Sequence, residues 1–512
     1  MRIDKHILSY GWLIAALAYT LWFVFAGFGN HQDPLYWLYK YQTLEGGWMA
    51  AGTLLTGGAL VRIFGVQLLP LRLVGWLCVA LAIGLPYCCL LSKEQRRENL
   101  SWLALAYMLM GYGAFQEFSP GTLSVLLLSA IWVCAVKSPI TNCQSPILTA
   151  ILAGLAVSVR FPNVLVLLVL IPLWKKRSLW LVPLAALSAG IVYLLGYWLL
   201  TPAMTDAAMN SHEYLSMLTK LWENGGRLIG YMLLAVGVLA CQRLVNIKPA
   251  VSGTIMGFVL VYFIAYTIKP FQWYNTDLTY LISAFCILLA LAARQKEIGI
   301  GLALLCVATF GTDTAWLKLF PAVLCLLPVA ATRFAPEAKQ YLWCALMVVA
   351  VMVIVRVTNN SVGQSNLTRV QTVSTIAPYQ GIAIREAEEK RLAQYIADYD
   401  SLYTEHHTPY TILALGQENH LMRAVTGCEA ARFNEFWSNI YDSVYTAKYR
   451  EIIMAERPIV FCSFSPQFKT KPQYKDKESR MEQMLLDEGY RVIDRSKHRY
   501  MIYIPEYDNE IQ

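Results

Sequence analysis

Charge is scarce in this sequence. Asp, Glu, Lys and Arg together make up 15% of its 512 residues, against 57% hydrophobic residues and a mean hydropathy of +0.44. One water-soluble core cannot absorb that apolar mass, which excludes a single globular soluble enzyme and points to a polytopic membrane protein. A glycine-rich phosphate loop is also lacking: GTDTAWLK at 311–318 does not have Walker spacing, so nothing supports ATP-driven transport. Cysteines at metal-ligand spacing are missing as well. Ten of the twelve lie in the apolar part, with only Cys428 and Cys462 beyond it, and they are read as small apolar fillers. There is no internal repeat and no low-complexity segment. No small-residue cleavage site follows the first apolar run, residues 7–28, so it is expected to stay as a signal anchor.

Apolar runs recur at roughly 8–28, 68–91, 100–116, 120–136, 147–174, 178–201, 227–245, 250–268, 276–293, 298–310, 316–331 and 340–357. Lys and Arg are retained on the cytoplasmic side, so loop charges orient the spans. With the N-terminus inside, the inner loops hold fifteen basic residues and the outer segments seven. That count requires run 147–174 to return to its own side. Arg160-Phe161-Pro162 supplies the break, since proline removes a helix hydrogen bond and disfavours helical geometry in the residue before it. Two half-helices are expected, with Arg160 pointing into a protein-lined cavity rather than lipid.

Beyond Thr358 the composition changes. The apolar part holds 24 of the 42 basic and 13 of the 34 acidic residues, so it is positively charged while the tail is weakly negative. In the tail, helical patterns at 384–399, 444–456 and 475–488 alternate with strand-like TILALG (411–416), PIVFC (458–462), YRVID (490–494) and YMIYI (500–504), which implies a small α/β sandwich. Residues 416–427 are read as a polar loop leaving the first strand, a candidate surface for acceptor contact.

Under this topology every aspartate of the apolar part except Asp4 faces outward. Asp33 precedes Tyr36 and Trp37, Asp277 follows Trp273 and Tyr274, and Asp313 precedes Trp316. Carboxylates beside aromatic faces suit sugars, whose CH-rich faces pack on rings while hydroxyls bond to acids. Interfacial enrichment of Trp and Tyr explains the same pattern without any ligand, and it is the stronger reading for Asp277 and Asp313 taken singly. Asp33 stands apart because a long outer segment of about 40 residues follows it. Within that segment 52–65 reads as an amphipathic helix lying on the membrane.

An acid just after the first span, nearby aromatics, a surface helix ending in Phe64-Gly65, Arg72 opening the second span, and the later broken helix AGLAVSVRFPN around Arg160 together resemble the membrane glycosyltransferases of the GT-C superfamily. The protein-mannosyltransferase and aminoarabinose-transferase branch is the nearest comparison, and the likeness is best over residues 8–200. It implies an inverting transferase that takes a sugar from a polyprenyl-phosphate carrier on the non-cytoplasmic side. Asp33 would then be the general base on the acceptor hydroxyl. Arg160 would lead the phosphate ligands, with Arg72, Lys269 and Lys318 behind it and Tyr36, Asp277 and Asp313 lining the substrate. Two features depart from the pattern. The acid is single, preceded by His31-Gln32 and followed by Pro34, and Gly46-Gly47-Trp48 stands where prolines are usual.

The expected fold is therefore mainly α, GT-C-like, with about 12 spans or broken spans over 1–357 and a small α/β domain, 358–512, on the outer face. The short loops suggest a bacterial inner membrane. Partners are the polyprenyl-phosphate sugar donor, a lipid, glycan or protein acceptor, and the membrane; the basic charge is explained by inner-loop retention and implies no nucleic acid. The sequence assigns no cofactor, and members of the superfamily it resembles differ in their need for metal. A divalent metal is the one candidate, through His31, His212 and Glu213 beside Asp33, and an interfacial histidine is more often a plain polar contact. A transporter or flippase would show repeat symmetry and midplane charges, both missing here. A polymerase of polyprenyl-linked glycans is nearer in chemistry but typically keeps its key residues in late loops. A noncatalytic scaffold would be indifferent to loss of Asp33.

Overall fold

The computed structural model describes residues 5–26, 32–45, 50–110, 117–136, 145–174, 179–201, 214–244, 247–267, 276–310, 315–359, 372–406, 411–416, 419–426, 442–463, 472–495 and 500–506. The apolar part is mainly helical across these residues. In chain order the helices are α1 (Lys5–Phe25), α2 (Gln32–Thr43), α3 (Ala51–Phe64), α4 (Leu68–Leu90), α5 (Lys93–Glu98), α6 (Leu100–Met110), α7 (Pro120–Ala135), α8 (Pro146–Val159), α9 (Val166–Leu170), α10 (Leu181–Leu199), α11 (Tyr214–Leu244), α12 (Pro249–Thr267), α13 (Thr276–Ala292), α14 (Lys296–Cys306), α15 (Ala315–Leu324), α16 (Leu327–Ala330) and α17 (Pro336–Asn359).

Among the described residues four helices are long and apolar enough to cross a membrane: Leu8–Phe25, Leu68–Leu90, Leu181–Leu199 and Gly225–Gln242. The other apolar runs fold as shorter helices, several of them broken, so the even set of spans suggested by hydropathy becomes a mixture of whole and interrupted ones. Helix α10 shows why the surroundings are lipid. Its large residues Leu187, Ile191, Leu194 and Trp198, one stripe at helical spacing, are exposed, Trp198 by 76%. Its small residues Ala185, Ser188, Ala189 and Gly196 face the protein. This inversion of the water-soluble pattern lets backbones approach closely. A Cβ on Gly154 of α8 would lie 2.1 Å from the Ala185 carbonyl oxygen. The chain is an integral membrane protein.

Local chemistry sets the helix ends. Ser92 and Gln95 close a capping box on α5, and Ser119 and Thr122 close another on α7, with Pro120 at the first position where its missing N–H is harmless. The break expected in run 147–174 is present. Helix α8 stops at Val159, Arg160 is extended at φ −157° and ψ 113°, and a 3-10 turn over Phe161–Leu165 leads into α9. Helix α3 matches the expected surface helix in extent, and its Gly57 and Gly58 lie against Tyr41 and Leu44.

The C-terminal part has a two-residue antiparallel pair, β1 (Thr372–Val373) and β2 (Ala383–Ile384), then α18 (Glu386–His406), β3 (Ile412–Gly416), α19 (Asn419–Thr426), α20 (Asp442–Glu456), β4 (Ile459–Ser463), α21 (Pro472–Asp487), β5 (Tyr490–Arg495) and β6 (Tyr500–Pro505). The main sheet has the order β3-β4-β6-β5, with β3 parallel to β4 and the other pairs antiparallel. Side chains alternate between its faces. Ile412, Ala414, Ile459 and Phe461 join one apolar cluster and Leu413, Val460 and Cys462 another. The second cluster is completed by α20 and α21. The first is shared with α2, α3 and α4, through Leu35, Leu38, Leu54, Leu68 and Leu71.

The segment 416–427, expected as a loop, is a correction. Helix α19 fills most of it, because Leu421, Met422 and Val425 form an apolar stripe that is buried in the shared cluster beside α2.

Candidate functional site

Helix α2 opens the site. Asp33 is its second residue, a position in the first turn where a carboxylate complements the helix dipole, and Pro34 is tolerated there because the first amides have no partner within the helix. The Asp33 side chain lies outside what the structure describes. Further along, Leu35, Leu38 and Tyr41 are buried, while Tyr36, Trp37 and Tyr39 are half-buried. The rings form a chain: Tyr36 meets Trp37 edge-on at 5.3 Å, Trp37 stacks on Tyr41 at 5.9 Å, and Tyr41 lies 5.9 Å from Phe118. The Lys40 ammonium, 3% exposed, sits over Tyr36 at 5.4 Å and Tyr39 at 5.9 Å. The Tyr39 hydroxyl donates to the Glu45 carboxylate.

The short stretch before α7 is where the elements converge. The Tyr41 hydroxyl donates to the Phe118 carbonyl at 2.9 Å, and the Phe118 amide donates to the Leu71 carbonyl of α4 at 2.8 Å. Glycine at position 75 allows this contact, since a Cβ there would lie 2.5 Å from the Glu117 carbonyl carbon. Glu117 and Arg72 are both buried, 6% and 5% exposed, and each charge lies within electrostatic reach of the other, with the Tyr379 phenol also acting on Arg72. A charge held away from water needs such a counter-charge.

Lys318 of α15 approaches the same place from the other side. An ideal Cβ on Gly121, the second residue of α7, would lie 3.6 Å from its Nζ. Lys318 is half-buried, and among the described residues no hydrogen bond or ion pair engages its ammonium. One turn along α7, the Ser124 hydroxyl accepts from the Asn163 amide at 2.9 Å, and Asn163 also donates to the Ala156 carbonyl at 2.8 Å. That ties the broken helix to α7. Arg160 itself donates to the Ala308 carbonyl at 2.9 Å and to the Phe310 carbonyl. Its guanidinium thereby closes the open end of the 3-10 turn Val307–Thr309 that follows α14.

The structure therefore brings Tyr36, Arg72 and Lys318 to elements that meet around residues 117–124, with Arg160 one step further out. Asp277 is the second residue of α13, and its side chain is outside the description. Asp313, Lys269, His31, His212 and Glu213 lie outside the described residues. Among the described residues no three His, Cys, Asp or Glu side chains are placed to hold a metal. Sequence reasoning gave no role to Glu117, Lys40 or Tyr379. Glu117 had one signal, a single acid between two apolar runs, and Tyr379 had none.

Fold and junction together define the class: an integral membrane protein of many helices whose second core is shared with a C-terminal α/β unit. Among solved structures, the chain is similar to the crystal structure of ArnT from Cupriavidus metallidurans bound to undecaprenyl phosphate, at 12% identity over 96% of this chain and 98% of that one, with a TM-score of 0.49. The apo state of the same ArnT is similar at 12% identity over 97% and 98%, with a TM-score of 0.45. No protein-family model and no curated protein matches the sequence.

Proposed function

We propose that this protein is a membrane glycosyltransferase that moves a sugar from a polyprenyl-phosphate carrier to an acceptor on the non-cytoplasmic side, with inversion at the anomeric carbon. The observation that carries the proposal is the meeting, around residues 117–124, of the aromatic helix that carries Asp33 in its first turn and two cations, Arg72 and Lys318. In the reaction the acceptor O–H gives its proton to the Asp33 carboxylate as the oxygen attacks the anomeric carbon. The bond from that carbon to the phosphate oxygen breaks, and the carrier leaves as its phosphate. Half-buried and without a protein acceptor among the described residues, Lys318 is the cation with most freedom to take the departing phosphate. Arg72, in its buried cluster with Glu117, adds fixed positive potential. Arg160, spent on two carbonyls, shapes the site. The ring of Tyr36 packs against the sugar; Asp277 and Asp313 remain substrate candidates and Lys269 a phosphate candidate. The sparsely basic side of the chain is the outer one, which puts the C-terminal unit outside the cytoplasm, in the periplasm of a bacterial inner membrane.

The test is transfer of radiolabelled sugar from a panel of polyprenyl-phosphate sugars to a membrane extract, comparing purified wild type with Asp33→Asn in one detergent. Transfer that disappears in a folded Asp33→Asn protein is the expected result. Equal transfer by both removes Asp33 from catalysis and moves the base to Asp277 or Asp313. Binding of the lipid carrier without transfer to any acceptor would favour a transporter.

A further inference from the structure

The first turn of α4 is capped from an unexpected source. Gln67 stands at its N-cap, and no side chain there accepts from the helix. Instead the Leu68 amide, one of the donors that a helix start leaves unpaired, donates to the Pro378 carbonyl of the C-terminal unit at 2.9 Å. Two more contacts fix the same turn. The Gln67 side-chain amide donates to the Gln380 side-chain oxygen at 3.1 Å, and Gly381, at φ +81°, lies over Leu69 so closely that a Cβ would be 3.1 Å from its Cδ2. Between Pro378 and Gln380 sits Tyr379, fully buried in the cluster that holds Leu68 and Leu71. Its backbone is pinned at both ends, the amide donating to the Ile376 carbonyl and its own carbonyl accepting from Ile382, each at 2.9 Å. Arg72 lies four residues beyond Leu68, on the same face of α4.

We propose that Tyr379 is a positioning residue for Arg72: the C-terminal unit lends the membrane site a phenol that, with Glu117, holds the guanidinium in place. The inference rests on the transferase reading for its consequence, since a correctly held Arg72 supplies positive potential to the carrier phosphate. The seating of Tyr379 beside the first turn of α4 does not depend on that reading. A rigid aromatic hydroxyl suits the task because it supplies a polar tip at small entropic cost and an apolar body that seals the pair from water.

The experiment is a double-variant cycle on the full-length protein with Tyr379→Phe, Arg72→Gln and both together. Removing only the hydroxyl is expected to weaken binding of a polyprenyl monophosphate about tenfold. In the Arg72→Gln background it is expected to change binding by less than about twofold, because the group acted upon has gone. Binding unchanged by Tyr379→Phe, or the same loss in both backgrounds, would overturn the proposal. Should wild type bind no polyprenyl monophosphate, the transferase reading falls, and the same cycle read as thermal unfolding of the ligand-free protein decides this inference. Melting of the double variant at the temperature of Arg72→Gln alone sustains the contact, and additive losses sink it.

Discussion

Gly75 and Lys318 separate two ways in which a residue serves this site. A methyl group at position 75 would fall 2.5 Å from the Glu117 carbonyl carbon and 2.6 Å from its oxygen, and a backbone cannot step aside as a flexible side chain can. Gly75→Ala should therefore push α4 away from the stretch before α7 at a cost of about 1–3 kcal/mol. The thermal midpoint in detergent should fall, while Gly190→Ala, which meets nothing within 4 Å, should leave it unchanged. Lys318 predicts the opposite pattern. Because no described residue bonds its ammonium, Lys318→Gln should alter the midpoint little and weaken binding of a polyprenyl monophosphate, read by titration of the purified protein. A large loss of stability with unchanged binding would make Lys318 a structural residue. The role of Gly75 could not be read from the sequence, where it is one of 31 glycines, whereas Lys318 already stood among the phosphate-ligand candidates that the resemblance implied.

The broken helix around Arg160 was legible among the elements because its cause is local. A proline two residues on forbids continuation, and the chain answers with an extended residue and a 3-10 turn. What the sequence could not convey is the partner, since the carbonyls of Ala308 and Phe310 are about 150 residues away and carry no side-chain signature. Arg160→Lys keeps the charge but loses the fork that reaches two carbonyls together, and should lower the thermal midpoint by the equivalent of about 1.5–3 kcal/mol. If Arg160 were instead held chiefly for phosphate, lysine would preserve stability and reduce carrier binding. Helices α2 and α19 were missed for a related reason. Proline at 34 and glycines at 416 and 427 punctuate them like loops, and the apolar stripes that decide them, Leu35, Leu38 and Tyr41 in one and Leu421, Met422 and Val425 in the other, bury against each other's neighbourhood rather than within a self-contained pattern. The four strands of the main sheet, by contrast, fell within a residue or so of expectation, because β-branched runs bounded by turns report themselves, while the two-residue pair β1 and β2 was too short to do so.

Across the whole molecule, the change in composition near Thr358 suggests two separable parts, and the packing argues that they behave as one. Leu35, Leu38, Leu54, Leu68 and Leu71 from the membrane helices bury in the same cluster as Tyr379, Ile384, Leu392, Tyr395 and the inner face of the sheet. Ala26, at the end of α1, pairs with Ala383 of β2. On the sheet itself the Asp398 carboxylate, 6% exposed, accepts from the Arg495 guanidinium at 3.2 Å and from the Tyr500 hydroxyl, locking α18 to β5 and β6. That clamp holds α18 against the sheet on the face that shares its cluster with α2, α3 and α4. Apolar burial of this kind survives a cut in the chain, because it depends on contact and not on connectivity. Cleavage at a protease site inserted between residues 360 and 371 should leave the two pieces together through detergent purification, and the nicked protein should unfold in one transition. Adding Asp398→Ala leaves Arg495 and Tyr500 without their shared acceptor, softens that face, and should let the pieces part at a lower temperature than in the nicked parent. Separation of the nicked parent on cleavage alone would mean that the shared cluster contributes little, and that the C-terminal unit is tethered to the membrane helices and not built into their site.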